Sequence, residues 1–300
     1  MPARLIVLLL AGLCASCAPA PASGIAPRGH ADTFDVATWN IQQFGDPFSA
    51  PVDRIQASNV VALVSQAEID LWAVQEITSV EAWEELMARL APHGYAGVLA
   101  PEPTFGDFKE GFIYDAETVA VLDAERPLPV TGSFGGKQPY SVLADVSAGG
   151  VTRRLRVVVF HAKNGRSPDD VRNRAAGARK LKAYADRQAA RGLPVILLGD
   201  FNGPLLRSRR RDTPRSPYAA FVEDGGYVAA TTALEEAGVT TYCLDVACDV
   251  GTAIDHIVYT ANLGAELVEV SRYDEALTAI PNYPATTSDH TPVFVRLRLD

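Results

Sequence analysis

Val195-Ile196-Leu197-Leu198-Gly199-Asp200-Phe201-Asn202-Gly203 is a short apolar run that meets a glycine and then presents an acid and an amide two residues apart. Four successive aliphatic residues between turn formers read as a strand buried on both faces. Side chains alternate across an extended chain, so Asp200 and Asn202 share one side of it. A carboxylate placed there can orient or deprotonate a water, and the amide can hold that water or an oxygen of a substrate. The purely structural alternative is an Asx turn closing a strand.

Working outward, five other segments repeat the construction, with polar groups beside or within a strand-like run. They are Thr38-Trp39-Asn40-Ile41, Val74-Gln75-Glu76, Phe160-His161-Ala162-Lys163, Ile254-Asp255-His256-Ile257 and Thr287-Ser288-Asp289-His290. Asn40, Glu76 and Asp289 are oxygen donors suited to Mg²⁺ or Mn²⁺, and Ca²⁺ accepts the same donors. Magnesium needs only one or two protein carboxylates, so Glu76 with one more is enough. Asp255 can hold His290 in one tautomer and stabilise its charged form. His161 closes its strand, and Lys163, two residues on and so expected on the same side, is with Lys137 a candidate contact to a substrate phosphate. Of the five histidines in the chain, three lie in these motifs.

The rest of the chain mixes helices and strands. Strands are expected at Thr33–Ile41, Leu71–Val74, Gly94–Leu99, Phe112–Tyr114, Val119–Leu122, Tyr140–Val146, Leu155–Phe160, Val195–Leu198, Ile254–Tyr259, Ala265–Val270 and Val293–Leu299. Apolar spacing predicts helices over Asp53–Gln66, after an N-cap at Ser79, and over Asp169–Gln188. The fold class is therefore α/β, with two packed mixed sheets and outer helices. The Pro- and Arg-rich stretch 203–217 reads as a loop, because strand signals resume beyond it.

Arg4 followed by the apolar Leu5–Leu13 run reads as an export signal over residues 1–17. Ala15-Ser16-Cys17 resembles a lipoprotein processing site with a lipid anchor on Cys17, and Ala18-Pro19-Ala20 offers ordinary signal cleavage. Both routes lead out of the cytoplasm, to the periplasm, an outer-membrane lipoprotein or the medium. Residues 18–32, rich in Ala, Pro and Gly, read as a tether, and 33–300 as one domain, expected to be a monomer. An oxidising compartment favours a Cys243–Cys248 disulfide that pins the loop ahead of Asp255.

The formal net charge of −9 repels polyanions at long range. Basic residues nevertheless cluster after two motifs: Arg166, Arg172, Arg174, Arg179, Lys180 and Lys182 follow His161, and Arg207, Arg209–Arg211 and Arg215 follow Asn202. They are either solvated surfaces or a local attraction for phosphate.

Taken in order, the six motifs resemble the endonuclease/exonuclease/phosphatase superfamily of DNase-like metal-dependent phosphoesterases. The resemblance runs from about Phe34 to Leu299. It implies a four-layered α/β sandwich with the site at one end of two central sheets. It further implies Glu76 as principal metal ligand with Asn40 and Asp289 nearby. Asp200 and Asn202 become the water-activating and phosphate-orienting pair, Asp255 with His290 a carboxylate–imidazole dyad, and His161 a second histidine at the scissile phosphate. Two positions depart from the pattern. Lys137 stands where many relatives carry an arginine before a proline, which keeps charge but loses bidentate phosphate binding. Gln42 stands where some DNA-repair members carry an acid.

Three functions compete on this reading: an exported nuclease, a phosphodiesterase or phosphatase of small or lipid phosphoesters, and a non-catalytic binding module. The arginine run speaks for the first and the acidic charge for the second. The complete set of acids, amides and imidazoles speaks against the third.

Overall fold

The computed structural model describes residues 24–47, 53–101, 108–129, 132–208, 210, 212 and 215–300. The export segment and Cys17 lie outside them. Along the chain the elements are β1 (Phe34–Phe44), α1 (Asp53–Ala67), β2 (Leu71–Ile77), α2 (Val80–Leu90), β3 (Tyr95–Leu99), β4 (Lys109–Asp115) and β5 (Val119–Glu125). Then follow β6 (Tyr140–Ala148), β7 (Val151–His161), α3 (Pro168–Ala189), β8 (Val195–Asp200), α4 (Ala219–Val222), β9 (Tyr227–Ala229) and α5 (Thr232–Glu236). The chain closes with β10 (Tyr242–Cys243), β11 (Gly251–Thr252), β12 (Asp255–Thr260), β13 (Ala265–Arg272), α6 (Glu275–Ala279), α7 (Tyr283–Thr286) and β14 (Val293–Leu299).

The strands form two six-stranded sheets, ordered β13-β14-β1-β2-β4-β3 and β5-β6-β7-β8-β12-β9. Each is mixed, because each contains one parallel pair: β1 with β2, and β7 with β8. A parallel pair needs a crossover, and α1 and α3 supply them. α2 and α3 start where side chains can serve the free amides. Ser79 accepts the Ala82 amide before α2, and Ser167 with Asp170 forms a reciprocal capping box before α3, with Pro168 in its first turn. Between β6 and β7 the two-residue turn Gly149-Gly150 takes positive φ (58° and 79°), which glycine adopts without strain and which suits a tight hairpin.

Four layers require three apolar seams, and three are present. Phe34, Val36, Leu71, Ala73 and Val295 of one sheet meet Val142, Val157, Val159, Ile196, Leu198 and Ile257 of the other. On the far side of the first sheet Trp39, Trp72 and Val74 pack on Val60, Leu63 and Val64 of α1 and on Trp83 and Leu86 of α2. On the far side of the second, Val158, Phe160, Leu197 and Val258 pack on Ala178, Leu181 and Ala185 of α3. The two sheets with their helices form the α/β sandwich that the sequence predicts. Cutting back one of the buried tryptophans to alanine would cost about 3–5 kcal/mol.

Some limits move. β1 runs three residues past Ile41, and β4 begins before Phe112. Residues 24–32, read from composition as tether, lie against the domain in this structure. Ile25 is buried, the Tyr273 hydroxyl donates to Ala26 O at 2.6 Å, and Arg28 pairs with Glu269 at 3.2 Å. One buried aliphatic and one paired guanidinium give that stretch contacts its small residues alone would lack. No helix of the described residues is long and apolar enough to cross a membrane.

Candidate active site

Strand alternation carries most of the site to one place. Val157 and Val159 face the seam between the sheets, and so, two residues on, does His161. Ile196 and Leu198 lead in the same way to Asp200, and Ile257 and Tyr259 lead back to Asp255. These three residues lie side by side in one row, since His161 pairs with Asp200 and Asp200 with Asp255 across the ladders. Val36 and Thr38 lead likewise to Asn40 in the opposite sheet. Gly199 makes the row close. A Cβ at that position would stand 1.9 Å from the Phe160 carbonyl oxygen, and φ there is 145°.

Glu76 arrives by another route. Counting by twos from Trp72 and Val74 would turn it toward α1 and α2. Instead the register slips between Val74 and Ile77 and Glu76 adopts φ 65°. Such a bulge re-aims a side chain, and the left-handed backbone of a non-glycine residue is a cost that packing must cover. Gln42 and Gln43 on the neighbouring strand share positive φ (36° and 51°). The Glu76 carboxylate accepts from Asn40 Nδ2 at 3.0 Å and from the Gln43 amide at 3.1 Å.

Asp200 Oδ2 is the hub. It lies 3.2 Å from His161 Nε2 and accepts from Asn40 Nδ2 at 3.3 Å and Asn202 Nδ2 at 3.1 Å. His290 Nε2 stands 3.9 Å away, and Oδ1 accepts the Asn202 amide at 2.7 Å. Burial alone would raise this carboxyl, but facing His161, His290 and Lys137 outweigh it and hold Asp200 well below the usual carboxylate range. His290 Nδ1 sits 2.9 Å from Asp255 Oδ2, and its Nε2 sits 4.0 Å from Asp289 Oδ1. Burial pulls the imidazole down, yet Asp255 with Asp200 and Asp289 pushes it up to about 10. His290 is therefore charged and a proton donor at neutral pH.

These groups open into a cleft of about 460 Å³, walled by Glu76, Asp289, His161, His290, Asp200 and Asn202, with Phe108, Tyr242, Leu244, Lys137 and Arg166 around them. Asn40 and Asp255 lie beneath this lining and brace it. Asn40 turns its amide NH₂ to Glu76 and Asp200, while its oxygen accepts the Gln42 amide at 3.0 Å. Lys137 lines the cleft, and burial lowers its ammonium against the opposing pull of Asp200, Glu76 and Glu110. Lys163 is not brought in. Its ammonium bonds Asn164 and lies 3.4 Å from Asp170, because β7 ends at His161 and alternation ends with it.

Among the described residues, most of the basic cluster is engaged elsewhere. Arg174 is buried and donates to the carbonyls of Lys163 and Gly165 at 2.8 and 2.9 Å, shaping the loop behind His161. Lys182 pairs with Asp186 and Asp224, Arg210 with Asp212, and Arg215 with Glu223. His256, a member of one motif, points to the opposite face of its sheet. It meets Thr231 Oγ1 at 3.0 Å and the edge of Phe201, and burial lowers it to about 3. Gln42, which the resemblance marks only as a missing acid, accepts the Asp289 amide on its Oε1 at 2.9 Å, and Thr241, whose hydroxyl reaches Asp255, carries no signal in the sequence that sets it apart.

The donor set fits a hard divalent cation. Glu76, Asp200 and Asp289 crowd one wall, and burial with the neighbouring Glu76 and Asp200 charges raises the Asp289 carboxyl despite His290. Asp200, Asp255 and His290 each bring one donor atom within 4.8 Å of the others, and could together hold an ion. A ligating imidazole must give up its proton, however, and Asp255 keeps it on His290. Glu76 and Asp289 suit the ion better.

The model of the Endonuclease/Exonuclease/phosphatase family matches residues 37–290. The chain belongs to this family. Phosphoester hydrolysis is the family's chemistry, typically with a divalent metal. Its fold is similar to that of the human Nocturnin catalytic domain with bound sulfate, at 15% identity and TM-score 0.65 over 90% of this chain and 95% of that one. It is similar also to Danio rerio TDP2 complexed with single-strand DNA product (13%, TM-score 0.61, 88% and 98% covered). The Bacteroides thetaiotaomicron mannosyl-6-phosphatase is a third such structure (16%, TM-score 0.59, 88% and 99% covered). A comparison with curated protein sequences finds no match.

Proposed function

We propose that the protein is an exported, divalent-metal-dependent phosphodiesterase, with nucleic-acid strands as its first substrate class. The observation that carries the reading is the convergence on Asp200 Oδ2 of His161, Asn40 and Asn202, with Glu76 and Asp289 alongside. Asp200 and Asn202 orient the attacking water. His290, held by Asp255, donates its Nε2 proton to a departing oxygen, and His161 steadies the phosphoryl group from its other side. Lys137 and Arg166 draw in the substrate phosphate. Glu76 and Asp289, with Asn40 bracing Glu76, would hold Mg²⁺ or Mn²⁺, which when bound neutralises charge growing on the phosphoryl oxygens.

The rings of Phe108 and Tyr242 line the cleft, and a single strand could stack its bases on them. The Danio rerio protein of similar fold is described with a single-strand DNA product, which agrees with this reading. A second reading, a small or lipid phosphoester, is favoured by the paired arginines 210 and 215 and by Leu244, Val246 and Val250, which stand 57–66% exposed on the loop at the cleft.

Purified protein should be offered oligonucleotides, plasmid, an aryl phosphodiester and phospholipid vesicles, each with Mg²⁺, Mn²⁺, Ca²⁺ or chelator. Nucleic-acid cutting that chelator stops, and that Glu76→Ala lowers by about 10³-fold or more, is the expected result. Turnover of lipid or aryl ester with nucleic acid left intact selects the second reading. Activity that survives both chelator and Glu76→Ala sinks both.

A further inference from the structure

Three consecutive residues ahead of β12 each hold a different member of the acid–imidazole set. Thr241 Oγ1 donates to Asp255 Oδ2 at 2.7 Å and accepts the amides of Ile254 and Asp255 at 3.0 and 3.1 Å. That uses its one proton and both lone pairs. Tyr242 forms an antiparallel bridge with His290, its ring centroid 5.0 Å from the imidazole. The Cys243 amide donates to the Asp289 carbonyl at 2.7 Å, and the Thr291 amide returns to Thr241 O at 2.9 Å.

This segment has little regular structure of its own to keep it there. β10 and β11 are two residues each, joined to one another in a two-stranded ladder, and beyond it β10 has only the single bridge to His290. What closes it is the Cys243–Cys248 disulfide. Arg272 Nη1 binds the far side, donating to Thr240 O at 2.9 Å and Cys248 O at 3.0 Å. A disulfide between residues so near in sequence removes little entropy from the unfolded chain, so its contribution to global stability is small. Its main effect is local, on the freedom of the residues it joins.

We propose that Thr241–Cys243, locked by the Cys243–Cys248 bridge, is a positioning strap for Asp255, His290 and Asp289, so that turnover depends on the oxidised loop while the fold does not. The proposal deepens the phosphodiesterase reading and rests on it for its kinetic half. Thr241 acts through Asp255, Tyr242 through His290, and Cys243 through the backbone of Asp289. A dithiol that opens the bridge breaks one S–S bond, leaves thiols on Cys243 and Cys248, and is itself oxidised to a disulfide.

The whole protein is reduced with dithiothreitol, thiol titration confirms the opening, and amide hydrogen exchange is compared before and after. The amides of Cys243 and Thr291 should exchange at least ~10-fold faster, with those of Ile257 and Val258 in mid-β12 unchanged. On the best phosphoester of the panel, kcat should fall ~10-fold with KM within about twofold. Thr241→Val should lower kcat ~10- to 100-fold and Thr241→Ser, which keeps the hydroxyl, should stay within about threefold of the parent. Both changes act on the same three residues, so Thr241→Val protein should lose less on reduction than the parent does. Unchanged exchange at Cys243 and Thr291 in fully reduced protein overturns the strap, as does a kcat that stays within about twofold on reduction. If the untreated protein turns over no phosphoester, the exchange result alone decides the strap, and the reading of function fails separately.

Discussion

Asp255 and His256 are neighbours on β12 and live in opposite chemistries. Asp255 faces the seam between the sheets, where it holds a charged His290 and receives the Thr241 hydroxyl. His256 faces α5 and Phe201, where burial keeps it neutral. One step along a pleated chain reverses the face, so a polar pair in a motif need not be a pair in the site. The inner face is built for reaction and the outer face for packing, and the two should respond to mutation in different currencies.

The sharpest break would come from Asp255→Ala against His256→Gln. The first should lower kcat/KM by about 10³-fold with the fold retained, since it frees the His290 tautomer and removes its countercharge. The second should leave kcat/KM within about threefold and show instead as lost stability of about 1–2 kcal/mol in urea titration. Equal kinetic losses from both would erase the distinction between faces.

A pair of lysines gives a smaller test. Lys137→Ala should reduce kcat/KM ~10- to 100-fold, because its ammonium lines the cleft, whereas Lys163→Ala should cost less than about threefold. A larger loss at Lys163 would mean that the substrate draws its side chain away from Asp170.

The smallest effect is read from pH. The folded-state value of His256 is about 3, against about 6.5 unfolded, so between these values the unfolded chain binds the extra proton. Its contribution to stability is complete above pH 6.5 and declines as pH falls toward 3, with a limiting slope of about 1.4 kcal/mol per unit. In urea titrations at pH 7, 5.5 and 4.5 the parent should lose its lead over His256→Gln near pH 5.5 and fall behind it by pH 4.5. Parallel curves would show that His256 takes up its proton as readily in the fold as in the unfolded chain.

Much of the site was legible because strand alternation is a strict rule. From Ile196 and Leu198 one counts to Asp200, from Val157 and Val159 to His161, and from Ile257 and Tyr259 back to Asp255. The sandwich follows from the same runs together with the spacing of α1 and α3. Glu76 resisted that count because its bulge depends on two neighbouring strands at once. Lys163 misled it because alternation holds only while the strand does. Arg210 and Arg215 looked available because their acidic partners, Asp212 and Glu223, are assigned by folding and not by any periodic rule. Thr241 had nothing to mark it, since a hydroxyl's role is set by what lies opposite.

Gly199 carries a final implication. A methyl group there would collide with the backbone of β7, and relief would mean prying β7 from β8 at the point where His161 and Asp200 stand abreast. In a saturation library this position should tolerate glycine alone and score like a reacting group, although it has no functional atom to offer. Selection at that codon would reflect the spacing between two strands.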